Sequence, residues 1–163
     1  GGWVIAFLSL LAFFLCLQEQ LDPERRRSEL WFGVVCLTLG CAAELLGHTM
    51  SAGLLPSLAR SGELDAYAAV ERAVQLAGLG AGQLLFSLGA LMFVRALDAT
   101  AVGHATIACG YVNVAAGFFS MVIGLAGIGT LVAPSTGAVI VSLSAFTILL
   151  GHRAHRALSS GPL

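Results

Sequence analysis

One carboxylate interrupts the apolar run GVVCLTLGCAAELLGHTM: Glu44. On a helix, Cys41 three residues before it and His48 four residues after it lie on the same face. An acid inside lipid costs on the order of 3 kcal/mol on insertion scales, so Glu44 must face protein or water. Paired with an imidazole, it has the chemistry of a proton relay or an ion site. The alternative is a protonated Glu44 held by a hydrogen bond, with the amide of Gln83 at similar depth on the next apolar segment. Gln83 and Asn113 are both explained as interhelical hydrogen-bonding amides, at about 0.6 kcal/mol each.

A second set of side chains collects at the other end of the chain's apolar segments. His104 opens one segment, His152 and His155 close the last, and Asp98 is close in sequence. Imidazoles from two helix ends could ligate haem or a metal. They serve equally as interfacial groups that complement a helix dipole. No cofactor is expected, and haem is the alternative. Cys16, Cys36, Cys41 and Cys109 all sit in apolar runs, contain no CxxC pair, and read as small hydrophobes rather than a disulfide framework. GxSxG, HExxH and phosphate-loop patterns are absent, and GLGAG lies within a helical run rather than after a strand.

These residues need elements to carry them, and composition says which. The chain is 58% hydrophobic and 10% charged, against about a quarter charged in an ordinary soluble domain. Mean hydropathy is +0.91. The net charge of -1 gives no basic field for nucleic acid. Lipid is the solvent that suits such a chain, and in lipid its backbone must be helical. About 20 apolar residues span a bilayer. The sequence therefore predicts an all-α polytopic transmembrane bundle, a single domain over residues 1–163, with five spans at about 1–17, 30–50, 74–97, 103–132 and 136–151.

Punctuation supports those limits. Asp22 and Pro23 suit a helix start, Ser51, Gly53 and Pro56 an end, and Pro134 the break before the last span. The run from Leu64 to Leu97 reads as one helix that overhangs the membrane. The first run, GGWVIAFLSLLAFFLCL, has no basic flank and no small-residue cleavage site, so it reads as a retained span rather than a signal peptide. Arginines then sort by side. Arg25, Arg26, Arg27, Arg95, Arg153 and Arg156 fall on one face, and only Arg60 and Arg72 on the other. The positive-inside rule places the N-terminus outside and the C-terminus in the cytoplasm, in what reads as a bacterial inner membrane.

Glycine recurs at intervals of seven: Gly103, Gly110, Gly117 and Gly124, with Thr106, Asn113, Ser120 and Gly127 three places on. The preceding segment carries Gly78, Gly82 and Gly89, then Ala96. Small residues allow close helix approach in lipid. The expected arrangement has the two stripes facing each other at a shallow left-handed crossing, with Asn113 inside the contact. The rival arrangement turns the later stripe outward toward a partner subunit, a lipid tail or a pigment.

GAGQLLFSLGALMFVRAL followed by GYVNVAAGFFSMVIGLAG resembles paired helices of uncharacterised bacterial multi-span membrane proteins. The resemblance covers the last three spans, somewhat under two-thirds of the chain, although ALDATAVGHA stands where a proline-and-Trp interface motif is expected. It implies a membrane fold and no assigned reaction. The leading expectation is a non-enzymatic accessory or scaffold subunit that packs against other transmembrane subunits and lipid. Transport through Glu44 and His48, or a haem protein using His104 with His152 or His155, are the alternatives.

Overall fold

The computed structural model describes residues 2–20, 23–97 and 102–159, and the side chains of these except at 3, 20, 23–27 and 154–159. The side chains of Arg25, Arg26, Arg27, Asp98, His155 and Arg156 lie outside the described residues. All described elements are helices: α1 (Gly2–Gln20), α2 (Pro23–Ser61), α3 (Leu64–Gln75), a π-helical stretch (Leu76–Gly82), α4 (Gln83–Ala96), α5 (His104–Ala126) and α6 (Gly129–Ser159). Four helical runs are long and apolar enough to cross a membrane: Ser28–Ser61, Leu64–Ala96, His104–Ala126 and Gly129–Arg153. Val4–Glu19 is a shorter apolar helix. The all-α bundle is as the composition requires, whereas among the described residues only four runs reach spanning length.

Three boundaries differ from those read in the sequence. Ser51, Gly53 and Pro56 do not end α2, which continues to Ser61 with Pro56 inside it. Leu54, Leu55 and Leu58 favour helix there, and the chain turns only at Gly62, where φ is +77°. The break after α5 comes at Gly127 rather than Pro134. Gly127 is left-handed at φ +69°, its N–H reaches Gly124 O at 3.3 Å, and the Ile128 N–H reaches Ile123 O at 3.2 Å. That pair of bonds is a Schellman cap, which satisfies carbonyls that would otherwise be orphaned. Pro134 sits inside α6, early enough to remove one hydrogen bond without ending the helix. The run from Leu64 to Ala96 is continuous, but its middle, LAGLGAG, widens into π-helix.

The helices pack mainly on their sequence neighbours. α1 lies on α2; α2 lies on α3, the π stretch and α4; α4 packs on α5; and α5 packs on α6. α1 and α6 are thus the two ends of the succession. One buried cluster joins Phe14, Leu17, Leu30, Leu37, Phe93, Val94, Phe146 and Leu150. Phe14, Phe93 and Phe146 are each 0% exposed, and the Phe14 and Phe93 rings are 4.8 Å apart. The outer surface is coated with apolar side chains such as Ile5, Leu8, Phe32, Phe119, Val141 and Ile148. So much exposed apolar surface suits lipid rather than water.

The two glycine stripes do not face each other. Those of α5 receive larger side chains from the helix before it. A Cβ on Gly110 would lie 2.5 Å from Val94 Cγ2, and one on Gly124 2.6 Å from Leu79 Cβ. A Cβ on Gly117 would take the place of Ser87 Oγ. Gly82 and Gly89 turn instead toward α2. A Cβ on Gly89 would meet Gly33 O at 2.7 Å, and one on Gly40 would meet Gly82 O at 2.9 Å. Glycine against glycine brings these two backbones together, which accounts for the close α2–α4 packing. Gly103 is not on the seam: its neighbour is the Arg153 guanidinium, at 3.3 Å from a built Cβ. Asn113 also turns elsewhere, accepting a hydrogen bond from Ser142 Oγ of α6 at 3.2 Å. Ser120 and Ser135 add a second α5–α6 pair at 3.3 Å.

Candidate functional site

At the end of the bundle away from the aromatic cluster, α1 and α6 face each other across a cavity of about 500 Å³. Ala6, Phe7 and Leu10 form the α1 wall, and residues from Val132 to Thr147 form the α6 wall. Glu44, Gly47, His48 and Ser51 come from α2; Gln75, Gly78, Leu79, Gln83 and Phe86 complete the lining. Its size is that of a site for a small organic molecule, and its few polar groups in a mainly apolar wall have the usual composition of one.

Local sequence explains why Glu44 can stand here. The π stretch presents Gly78 and Gly82 to it: built Cβ atoms there would lie 3.5 Å from Glu44 Oε2 and 3.3 Å from Glu44 Cγ. A Cβ at Gly78 would touch the carboxylate and one at Gly82 would crowd its stem, so larger side chains there would press on Glu44. π-Helical turns recur at functional sites because they displace side chains from the regular helical register. Within the described residues Glu44 has no hydrogen bond and no ion pair with protein. Gln83 does not bond it, so the neighbouring amide expected to hold the acid does not do so. The Gln83 amide is itself only 8% exposed. Its Nε2 and the Ser87 hydroxyl are buried without a hydrogen-bond partner. Both lie against Gly117, where a Cβ would come within 3.0 Å of Gln83 Nε2.

His48 joins Glu44 in the cavity wall, and its ring is 6.3 Å from that of Phe7, tilted by 37°. Cys41, one turn away, belongs to the packed core instead. Of the other residues singled out from sequence, Gln83 reaches the cavity and Asn113 does not. His104 and His152 are exposed near the opposite end, and the described residues contain no group of three or more His, Cys, Asp or Glu arranged to hold a metal ion.

Sequence reading missed two parts of this site. The α1 and α6 walls are uniformly small or apolar and carry no signal of their own. The α2 stripe did carry one: Gly33, Gly40 and Gly47 repeat at the same interval of seven as the α5 glycines. Gly78, Gly80 and Gly82 at alternate positions mark the π stretch. The chain matches no protein-family model, no curated protein and no solved structure.

Proposed function

We propose that this chain is a non-enzymatic integral membrane protein that binds a largely apolar small molecule within the bilayer, with Glu44 as the polar anchor of the site. The single observation that carries this is the cavity of about 500 Å³, into whose wall α2 brings Glu44 and His48. Four helical runs of spanning length and the shorter α1 form the bundle in the bilayer. Arginine placement favours an N-terminus outside and a C-terminus in the cytoplasm of a bacterial inner membrane. That orientation puts the cavity in the outer half.

Binding is favoured over passage from one side to the other. Below the cavity Phe14, Phe93 and Phe146 fill the bundle with no exposed surface, which leaves a pocket rather than a pore. It is also favoured over a scaffold role, because Gly110, Gly117 and Gly124 are used against α4 and the π stretch within the chain.

The test is chemical. Protein extracted in mild detergent is stripped of lipid and its retained small molecules are identified by mass spectrometry, beside Leu143→Trp and Thr136→Phe variants that fill the cavity from α6. An apolar molecule present at one per chain in the parent and lost in both folded variants is the expected result. Equal retention in all three would overturn it.

A further inference from the structure

Resting on that binding role, we infer that the ligand is a lipophilic amine whose protonated nitrogen pairs with Glu44. Four observations converge on it. The Glu44 carboxylate borders the cavity and has no hydrogen bond or ion pair within the described residues. The space it occupies is provided by the glycines of the π stretch, Gly78 and Gly82, rather than by a partner that would satisfy it. Among the described residues the cavity lining contains no lysine or arginine, and His48 is its basic side chain. Much of the rest of the wall, from Phe7 and Leu10 across to Val139 and Leu143, is apolar and suits a hydrocarbon body, with His48, Gln75 and Gln83 as further polar groups.

An unpaired acid in a low-dielectric wall is costly, and a ligand that supplies the opposite charge relieves that cost on binding. An ammonium does this with N–H donors aimed at a carboxylate, which in its ionised form can only accept. A carboxylate or phosphate ligand would place like charges together. A neutral alcohol of the same shape offers one donor and no charge, so it competes only through the apolar wall. Charge complementarity therefore selects among molecules that the cavity's shape would otherwise admit.

The pair 1-aminoadamantane and 1-hydroxyadamantane tests this, since the cage is common and only the polar group changes. Binding is measured with radiolabelled compounds to the full chain in phosphatidylcholine nanodiscs, with empty nanodiscs subtracted. The expected result is amine preferred over alcohol by about tenfold or more. Glu44→Gln should remove the preference while leaving alcohol binding in place, and Leu143→Trp should abolish both. Equal binding of amine and alcohol to the parent chain would overturn the charge inference and leave the cavity as an apolar site. A preference that survives in folded Glu44→Gln would overturn it as well. Failure of either compound to bind above empty nanodiscs would remove the binding role itself and this inference with it. The parent chain's ratio decides the matter even if a variant does not fold.

Discussion

The two ends of the bundle are built from the same five apolar segments, yet they are finished differently. At one end three phenylalanines from α1, α4 and α6 meet in a cluster with no exposed surface. At the other end α1, the π stretch and α6 carry Ala6, Gly78 and Thr136 at the lining, and a cavity remains. Buried rings fill the bundle at the first, whereas Ala6, Gly47, Gly78 and Thr136 stand among the larger Phe7, Leu10 and Leu143 at the second, where Glu44, His48 and Gln83 also line the opening. One end is closed by packed rings, and the other keeps a cavity, which the proposed binding role would use.

That contrast can be broken or sharpened by substitution. A large effect is expected for Phe93→Ala, which removes a fully buried ring from the closed end. It should cost about 3–5 kcal/mol, while Phe7→Ala at the cavity wall should cost under about 1 kcal/mol, both read from unfolding in detergent micelles. Next come the glycines. Gly40→Ala forces a Cβ against the backbone of the π stretch and α4 and should destabilise by about 1–3 kcal/mol. Gly137→Ala, where nothing lies within 4 Å, should stay within about 0.5 kcal/mol on the same assay. Gly117→Leu should fail to give a folded bundle on size-exclusion chromatography, because Ser87 and Gln83 occupy its space. A folded Gly117→Leu bundle that loses a bound partner would instead turn that seam outward. Glu44→Gln removes an acid that no protein group satisfies, so thermal stability should hold or rise slightly, and a large loss would mean that the acid has a structural role. A small effect belongs to Ser142→Ala, which deletes the hydrogen bond to Asn113 and should cost about 0.6 kcal/mol.

The helical, lipid-facing character was legible because it depends on composition and run length, which need no tertiary information. Glu44 was legible for a similar reason: an acid in an apolar run is conspicuous wherever the helices go. The direction of the earlier glycine stripe was not. A glycine at every seventh position states that something approaches closely but not what, and Gly82 and Gly89 prove to meet α2 rather than α5. Asn113 shows the same limit, since its bond partner Ser142 stands on a helix that sequence order placed one removed from the expected contact. Helix ends were misplaced where proline was weighed above glycine. Pro56 and Pro134 both lie inside helices, and the chain turns at Gly62 and Gly127, where positive φ is required. The cavity could not be read at all, because it is made of residues that α1 and α6 leave out rather than of residues they contain.

The most direct measurement of the difference between the two ends is photolabelling. A lipophilic amine carrying a diazirine is irradiated with the full chain in phosphatidylcholine nanodiscs, and labelled positions are mapped by peptide mass spectrometry. The expected labels cluster on the facing walls, at positions 6–10, 44–51 and 136–147, and disappear when excess unlabelled amine is present. Labels spread evenly over lipid-facing positions such as Phe119, Val122 and Ile148, with no protection by competitor, would contradict a binding site at the open end.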